Sequence, residues 1–237
     1  MSRERDLKQF YQLLDALEQE AGGKRLLADC DGRMDWPERG VYFFFEPGEK
    51  CTNSGTGMRV VRVGTHAISG NSRRKLWERL AQHRGTQKTG SGNHRGSVFR
   101  ELVGTAMKRR DHTDEPKTWG ERNGLSAAAM EFGIDKAELR ESEKPLERKV
   151  SRYIGHMPFL WLGIDDAPGP ASLRAVIEKN SIALLSNFER ERQDPPSQSW
   201  LGNNSDRDRV RRSGLWNSNH VDEMYYPDFL AALKQQI

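Results

Sequence analysis

A guanidinium group and an imidazole stand four residues apart, at Arg79 and His83. Leu76 and Leu80 mark the apolar side of a helix predicted over 73–84, and side chains four residues apart project from one helix face. An arginine fork can hold two phosphate oxygens at once, and histidine exchanges protons near neutral pH. The pair therefore has the chemistry to bind phosphate and to assist proton transfer.

A carboxylate and a phenol add the other groups that phosphodiester hydrolysis requires, namely a site for a cation and a group that positions water. Glu178 lies beside the apolar stripe of a helix predicted over 170–186, where an inward-facing carboxylate with waters suits Mg²⁺. Tyr42 lies in a predicted strand, where its hydroxyl can orient or deprotonate a water. In the structural alternative, Glu178 pairs with Lys179 or Arg174.

Arg79 and Tyr42 have structural alternatives of the same kind. Arg79 can pair with a neighbouring acid such as Glu78 or Glu101. Tyr42 can form an aromatic pair across the strands of a sheet. The residue types alone therefore leave both interpretations open.

The elements that must position these residues alternate between helical and strand periodicity. A polar, irregular segment at 109–145 reads as an insertion with short helices near 126–132 and 136–141, and Pro145 is expected to begin the helix after it. Helices are predicted over 4–21, 73–84, 96–108, 145–153, 170–186 and 227–237, and strands over 40–46, 59–64 and 159–164.

This order predicts an α+β fold with a small, central, mostly antiparallel three-stranded sheet flanked by helices. Residues 1–37 form an N-terminal helical extension, and 38–187 form the core with its insertion at about 109–145. Residues 188–237 form a C-terminal extension that packs on the core. Trp216 is expected to bury apolar area in that packing.

Two tripeptides and two helices together resemble the GIY-YIG nuclease family. Gly40-Val41-Tyr42 is similar to the first tripeptide of the family, and Arg62-Val63-Gly64 is similar to the second. The helix that carries Arg79 and His83 is similar to the family's arginine helix, and Ile177-Glu178-Lys179-Asn180 is similar to its glutamate helix. The resemblance covers about residues 38–187, interrupted by the insertion.

The resemblance implies a metal-dependent endonuclease that hydrolyses DNA, with RNA as the alternative substrate. Tyr42, Arg79, His83 and Glu178 would be catalytic, and Glu178 would also hold Mg²⁺ or Mn²⁺. Tyr42 would orient or activate water, Arg79 would stabilise the transition state, and His83 would assist proton transfer or phosphate binding. A homodimer is a further expectation, because one site per chain would have to cut both strands.

The sequence departs from the family at two positions. Arg62 replaces the second tyrosine, and Thr65 replaces a lysine that many members carry after the glycine. An arginine cannot act as a base near neutral pH, so Arg62 is expected to bind phosphate. His66 is a candidate for the proton role or for substrate binding, and its alternative is a turn histidine bonded to the backbone. A binding module that does not cut nucleic acid therefore remains open.

Three more residues are candidate substrate ligands. His94 and Arg95 lie in a glycine-bounded loop before the helix at 96–108, whose first NH groups can receive a phosphate, although an ordinary helix start is equally consistent. Family members often carry an asparagine after the glutamate helix. Asn217 is the candidate for that asparagine, and Asn187 is the rival.

The charge of the chain is concentrated in one segment. The whole chain has a net charge of +4, but residues 72–110 have +9 and the remaining residues have −5. A local basic excess is typical of a surface that binds a phosphate backbone. Basic surfaces also arise without nucleic acid, so a basic protein-interaction domain is a second alternative.

Several classes of protein are excluded by composition. Apolar runs fall far short of the about 20 residues that cross a bilayer, and the N-terminus lacks the apolar centre of a secretory signal. The two cysteines, Cys30 and Cys51, offer neither a disulfide framework nor a zinc motif. The sequence therefore predicts a cytoplasmic protein in a reducing compartment.

Overall fold

The computed structural model describes residues 2–66, 74–121, 123–169 and 171–237. Helix α1 spans Arg3–Glu20, confirming the predicted N-terminal helix, and the Ser2 hydroxyl caps it by accepting a hydrogen bond from the Arg5 backbone N–H. Leu7, Phe10 and Leu14 are buried along one face of α1. The described residues contain no helix that is long and apolar enough to span a membrane.

The described residues form one sheet of four strands, not the expected three. The strand order is β1-β4-β2-β3, and every neighbouring pair is antiparallel. Strand β1 was missed because two residues are too few to show an alternating pattern. The strands are β1 (Arg25–Leu26), β2 (Gly40–Lys50), β3 (Met58–Gly64) and β4 (Pro158–Gly163).

The remaining helices confirm most of the periodicity predictions. Helix α7 was not predicted, because six residues carry little periodic signal. Short 3₁₀ turns occupy Leu27–Asp29, His94–Gly96 and Leu201–Asn204. The helices are α2 (Leu76–Arg84), α3 (Val98–Arg110), α4 (Leu125–Phe132), α5 (Lys136–Gly155), α6 (Leu173–Leu185), α7 (Asp208–Ser213) and α8 (Phe229–Lys234).

Helices cover both faces of the sheet, as an α+β layer arrangement requires. Val41 and Phe43 pack with the apolar residues of α1, α6 and α8. Tyr42 and Phe44 point to the opposite face and pack with α2, α3 and α5. Because successive strand residues alternate between faces, Tyr42 necessarily faces the helix that carries Arg79.

The prediction that Pro145 begins a helix is wrong. Pro145 lies inside α5, a helix of 20 residues that begins at Lys136 and is capped by Asp135. Pro145 is exposed, so water can satisfy the carbonyl that loses its intrahelical donor. The segment from 136 onward therefore belongs to a long helix that packs on α3.

The C-terminal segment extends the free edge of β3. The Trp216 N–H donates to the Val61 carbonyl (2.7 Å), and the Asn217 amide bonds both the N–H (3.1 Å) and the carbonyl (2.9 Å) of Val63. Val61 is an extra residue in β3, because Phe44 pairs with Arg62 while Phe45 pairs with Val60. The edge next to the second tripeptide is therefore paired and not open.

Candidate active site

A chain of three hydrogen-bonded side chains starts at the first tripeptide. The Tyr42 hydroxyl lies 2.9 Å from Nε2 of His83, and Nδ1 of His83 lies 2.8 Å from the Ser97 hydroxyl. Ser97 is also the cap of α3, accepting a hydrogen bond from the Arg100 N–H (3.2 Å). The chain thus connects β2, α2 and the start of α3.

His83 is completely buried among aromatic rings. Burial, reinforced by the charges of Arg79, Arg62 and Arg100, holds the pKa of His83 well below its ordinary value. The ring is therefore neutral near pH 7, and taking a second proton there is unfavourable. This environment suits a residue that orients the Tyr42 hydroxyl better than one that removes its proton.

Arg79 lies on α2 one turn before His83 and is partly buried. Its NH1 donates to the Gln82 side chain (3.1 Å) and to the Gly96 carbonyl (3.2 Å). The guanidinium interacts electrostatically with His83, Arg62 and Glu178. The structure thus brings Arg79 into the same region as the candidate carboxylate.

The acids expected to pair with Arg79, Glu78 and Glu101, bond to other residues. Glu78 accepts a hydrogen bond from the Lys75 backbone N–H (3.0 Å), at the start of α2. Glu101 forms an ion pair with Arg207 (3.0 Å). Nε and NH2 of Arg79 have no hydrogen-bond partner among the described residues, so these donors are free for a ligand.

Glu178 projects from α6 toward the end of β3. Its Oε1 accepts a hydrogen bond from the Thr65 N–H (3.1 Å), and Oε2 has no hydrogen-bond donor within the described ranges. Burial raises the pKa of Glu178, and the Thr65 N–H with the charges of Arg62, His220 and Arg79 opposes that increase. A half-buried carboxylate with one uncommitted oxygen fits a divalent cation.

The expected structural partners of Glu178 bind elsewhere. Lys179 pairs with Glu223 (2.6 Å), and Arg174 pairs with Asp166. The described residues contain no group of three or more His, Cys, Asp or Glu that could hold a metal ion. A cation at Glu178 would therefore take most of its coordination shell from water, as Mg²⁺ commonly does.

Arg62 lies in the same cluster but is largely committed to the fold. NH1 donates to the Trp216 carbonyl, and the guanidinium carbon lies 4.6 Å from the centre of the Phe99 ring. Burial lowers the pKa of Arg62, and the nearby Tyr42 and Glu178 oppose this effect. The expectation that Arg62 binds phosphate rests on Nε, which is buried without a partner among the described residues.

His66 is buried at the end of β3. Its Nε2 lies 3.3 Å from the Glu38 carbonyl, which agrees with the turn-histidine alternative, and Nδ1 has no partner within the described residues. Burial, together with the charges of Arg174, Arg39 and Arg79, lowers the pKa of His66 to about 4. A ring with this pKa is neutral at physiological pH and is a weak base.

His94 and Arg95 do not join this cluster. His94 is fully buried, stacks on Trp119 at 4.0 Å, and directs Nδ1 to Glu147 at 2.9 Å. Arg95 forms a two-pronged ion pair with Glu143 (2.6 and 2.8 Å). Both side chains thus hold α5 against the loop before α3, which agrees with the ordinary helix-start alternative and not with substrate binding.

Asn217 is near the cluster without facing it. Both polar atoms of its side chain are bonded to Val63, so Asn217 supports β3 directly before Gly64. Asn187 binds Arg3 and the Gln193 N–H, and it lies in the C-terminal packing. Trp216 is fully buried against Trp200 and Phe99, which confirms that it packs this segment on the core.

Sequence reasoning missed Ser97, Thr65 and His220 as members of the cluster. The bond of Ser97 to His83 could not be found from spacing, because 14 residues separate the two. The position of Thr65 directly after Gly64 was the only signal for its contact with Glu178. His220 carried no local signal, since it acts on Glu178 only electrostatically, from a loop of the C-terminal segment.

Comparison with known proteins agrees with the geometry. A family profile described as GIY-YIG domain matches residues 1–237, the whole of the chain. No curated protein and no solved structure shows a significant match. Because this match covers more than half of the chain, the chain belongs to the GIY-YIG family, whose members are generally nucleases.

Proposed function

We propose that this protein is a metal-dependent endonuclease that hydrolyses phosphodiester bonds of DNA. The observation that supports this best is the position of the Tyr42 hydroxyl. It is held by the neutral ring of His83 at 2.9 Å and interacts electrostatically with Arg62, whose charge also acts on Glu178. A positioned hydroxyl, a free guanidinium edge and a carboxylate are the groups that phosphodiester hydrolysis needs.

Tyr42 would orient the attacking water through its oxygen. Rotation of the phenol is restricted, because the hydroxyl is bonded to His83 and the ring packs edge-on against Phe44 at 5.7 Å. His83 acts through Tyr42 and is a positioning residue in this proposal. Its low pKa argues against the alternative in which it takes the phenol proton.

Arg79 would bind the scissile phosphate with Nε and NH2, which have no partner among the described residues. The bonds from NH1 to Gln82 and Gly96 fix the plane of the guanidinium before substrate arrives. A fixed fork stabilises developing negative charge without a cost of reorganisation. A lysine would keep the charge and lose the two-pronged geometry.

Glu178 would hold Mg²⁺ or Mn²⁺ through Oε2, while Oε1 stays on the Thr65 N–H. A bound divalent cation would supply positive charge against the negative charge that develops on the phosphate. Replacement of the carboxylate by an amide keeps the volume of the side chain and removes its charge. Glu178→Gln is therefore more informative than Glu178→Ala, which would also remove the volume of the side chain.

The test is cleavage of supercoiled plasmid DNA with Mg²⁺, with Mn²⁺ and with chelator. We expect Arg79→Ala and Glu178→Gln each to lower the cleavage rate by at least about 100-fold, because each removes a charge that stabilises the transition state. Arg79→Lys should recover only part of the activity. Arg140→Ala and Glu138→Gln change the same residue types at exposed positions of α5 and should cut at the wild-type rate.

Three outcomes would contradict the proposal. Undiminished cleavage by both site variants would remove these residues from the mechanism. Binding of DNA that weakens steeply with salt, without cleavage under any condition, would identify a noncatalytic nucleic-acid-binding module. Cleavage of RNA but not DNA in a parallel assay would overturn the substrate.

A further inference from the structure

We propose that a cavity at the ends of α3 and α5 binds a nucleoside phosphate. The cavity has a volume of about 510 Å³, within the ~300–1,000 Å³ that small-molecule sites commonly have. Residues of β2, of the last turn of α3 and of the second half of α5 line it. The inference does not rest on the proposed endonuclease, because it concerns residues outside the candidate active site.

The cavity and the candidate active site lie at different positions along β2. Glu46, which lines the cavity, follows Tyr42 by four residues, or about 13 Å along a strand that rises ~3.3 Å per residue. Phe44 lies between them in the strand and is buried in the core. A ligand in the cavity is therefore separated from the Tyr42 hydroxyl.

The buried part of the lining is apolar. Met107 and Met157 are buried in the core on this face of the sheet, and the Tyr153 ring packs against the same core and also lines the cavity. Thioether sulfurs are polarisable and make favourable contacts with aromatic rings. Such a floor suits a flat ring system such as a nucleobase.

Glu46 brings a carboxylate to the lining, but donors of the protein occupy both of its oxygens. The Tyr153 hydroxyl donates to Oε1, and the indole N–H groups of Trp200 and Trp216 each donate to Oε2 at 3.1 Å. Three donors aimed at one carboxylate compensate part of its negative charge. They also hold the Tyr153 ring in the floor of the cavity.

The exposed part of the lining is cationic. Arg110, Lys149 and Arg152 are exposed and line the cavity. Asp111 pairs with Arg110 (2.8 Å) and lies 3.9 Å from Lys149, whereas Arg152 has no ion pair among the described residues. A guanidinium group can bind two oxygens of one phosphate, so this rim suits a phosphate group, with Arg152 as its main ligand.

His156 adds a hydrogen-bond acceptor to the lining. Its Nδ1 lies 2.7 Å from the Arg152 carbonyl, and because a carbonyl only accepts, Nδ1 carries the hydrogen. The lone pair of the neutral ring is then on Nε2, which has no partner in the described part of the chain. This atom suits a hydroxyl group of a sugar, so base, sugar and phosphate each have a matching group in the cavity.

The apolar floor distinguishes this cavity from a surface that binds a DNA duplex. The outside of a duplex is a sugar-phosphate backbone, and its bases are stacked inside, so a duplex would contact the cationic rim alone. Contact with Met107, Met157 and Tyr153 requires a base that is not stacked in a helix. The geometry therefore favours a small nucleotide.

The test is isothermal titration calorimetry of the full chain with AMP, GMP, CMP and UMP. We expect at least one of them to bind with a Kd below about 0.1 mM, and Arg152→Ala to weaken this binding by about tenfold or more. Arg140→Ala is the matched control, since Arg140 is an exposed arginine of α5 that does not line the cavity. The nucleoside alone and inorganic phosphate alone should each bind more weakly than the nucleotide.

Nuclear magnetic resonance of the methionine methyl groups locates the bound base. Ring currents of the base should shift the signals of Met107 and Met157, which line the cavity. The signal of Met130, whose side chain is 84% exposed on α4, should stay in place.

Several results would overturn the inference. These are no binding of any of the four nucleotides, binding unchanged in Arg152→Ala, and phosphate alone binding as tightly as the nucleotide. Nucleotide binding that is lost in Arg79→Ala would place the ligand in the candidate active site. Binding of duplex DNA that depends on Arg152, without binding of any nucleotide, would assign the rim to the phosphate backbone. Nucleotide binding that depends on Arg152 in a protein that leaves plasmid intact would support the cavity and refute the endonuclease.

Discussion

Gly64 lies opposite Tyr42 in the β2–β3 pair, and a Cβ atom at Gly64 would overlap the Tyr42 ring and hydroxyl. The second tripeptide therefore needs its glycine for space, so that the hydroxyl can lie over β3 and reach His83. The tyrosine of the first tripeptide and the glycine of the second form one steric unit. The tyrosine requires the glycine, because any side chain at residue 64 would occupy the space of the Tyr42 ring.

Gly64→Ala should displace the Tyr42 hydroxyl from His83 and lower plasmid cleavage by about 100-fold, since small misplacements of catalytic groups have effects of that size. Gly55→Ala is the control, because nothing lies within 4 Å of a Cβ atom at Gly55. Circular dichroism would show whether each variant is folded. A folded Gly64→Ala protein that cuts at the wild-type rate would exclude Tyr42 from the reaction.

His66 makes the stability of the fold depend on pH. Burial holds its pKa at about 4, below the ordinary value of 6.5. Between pH 4 and pH 6.5 the unfolded chain therefore binds a proton at this residue that the folded chain does not bind. Stability from this group is complete above about pH 6.5 and is lost as the pH falls toward 4. At about 1.4 kcal/mol per pH unit, the loss amounts to about 3 kcal/mol.

His66→Gln cannot take up this proton. Between neutral pH and about pH 4, the unfolding free energy of the variant should therefore improve relative to the wild type by up to about 3 kcal/mol. Urea denaturation at the two pH values measures the difference. Exposed His112 replaced by glutamine should show no such change, and an equal pH dependence for wild type and His66→Gln would contradict the assignment.

At the scale of elements, a buried ion pair between α3 and α5 supports the helix that carries His83. Arg100 is fully buried, donates from Nε to Glu147 (3.0 Å) and donates from NH1 to the His83 carbonyl (2.8 Å). Burial alone would raise the pKa of Glu147. The hydrogen bond from His94 and the charge of Arg100 outweigh burial and hold this pKa below its ordinary value. The end of α2 is thus positioned from two other helices.

Glu147→Gln should destabilise the fold by about 3–5 kcal/mol, because it leaves the buried charge of Arg100 without its counterion. Glu138→Gln, at an exposed position near the start of α5, should change stability by less than about 0.5 kcal/mol. Urea denaturation of both variants gives the comparison. Equal stabilities would show that the pair does not hold the helices together.

At the scale of the whole molecule, folding reduces the charge asymmetry that the sequence shows, because acids from other segments neutralise part of the basic segment. Two of the cations in the basic segment 72–110 are buried against acids of α5, Arg95 against Glu143 and Arg100 against Glu147. These acids lie outside the counted segment. The field at the surface is therefore weaker than +9 suggests, and the exposed cations that remain are the ones available to a phosphate backbone.

The elements that local periodicity can reveal were predicted from the sequence. The β2–β3 hairpin, α2 and α6 were found with small errors at their ends, and these elements bring Tyr42, Arg79, His83 and Glu178 into one region. Strand β1 was too short to recognise, and Pro145 hid the fact that the helices predicted over 136–141 and 145–153 are one helix, α5. The hydrogen bond between His83 and Ser97 joins separate parts of the chain, and no spacing rule reports such a contact.

The paired edge of β3 also sets an order in time. A nascent chain that ends at residue 187 already contains Tyr42, Arg79, His83 and Glu178. It still lacks the Trp216 carbonyl that binds Arg62 and the Asn217 amide that supports β3. Unfinished translation products therefore lack part of the site's scaffold. Arg62 and the second tripeptide therefore take up their final positions only after residues 216 and 217 have been made.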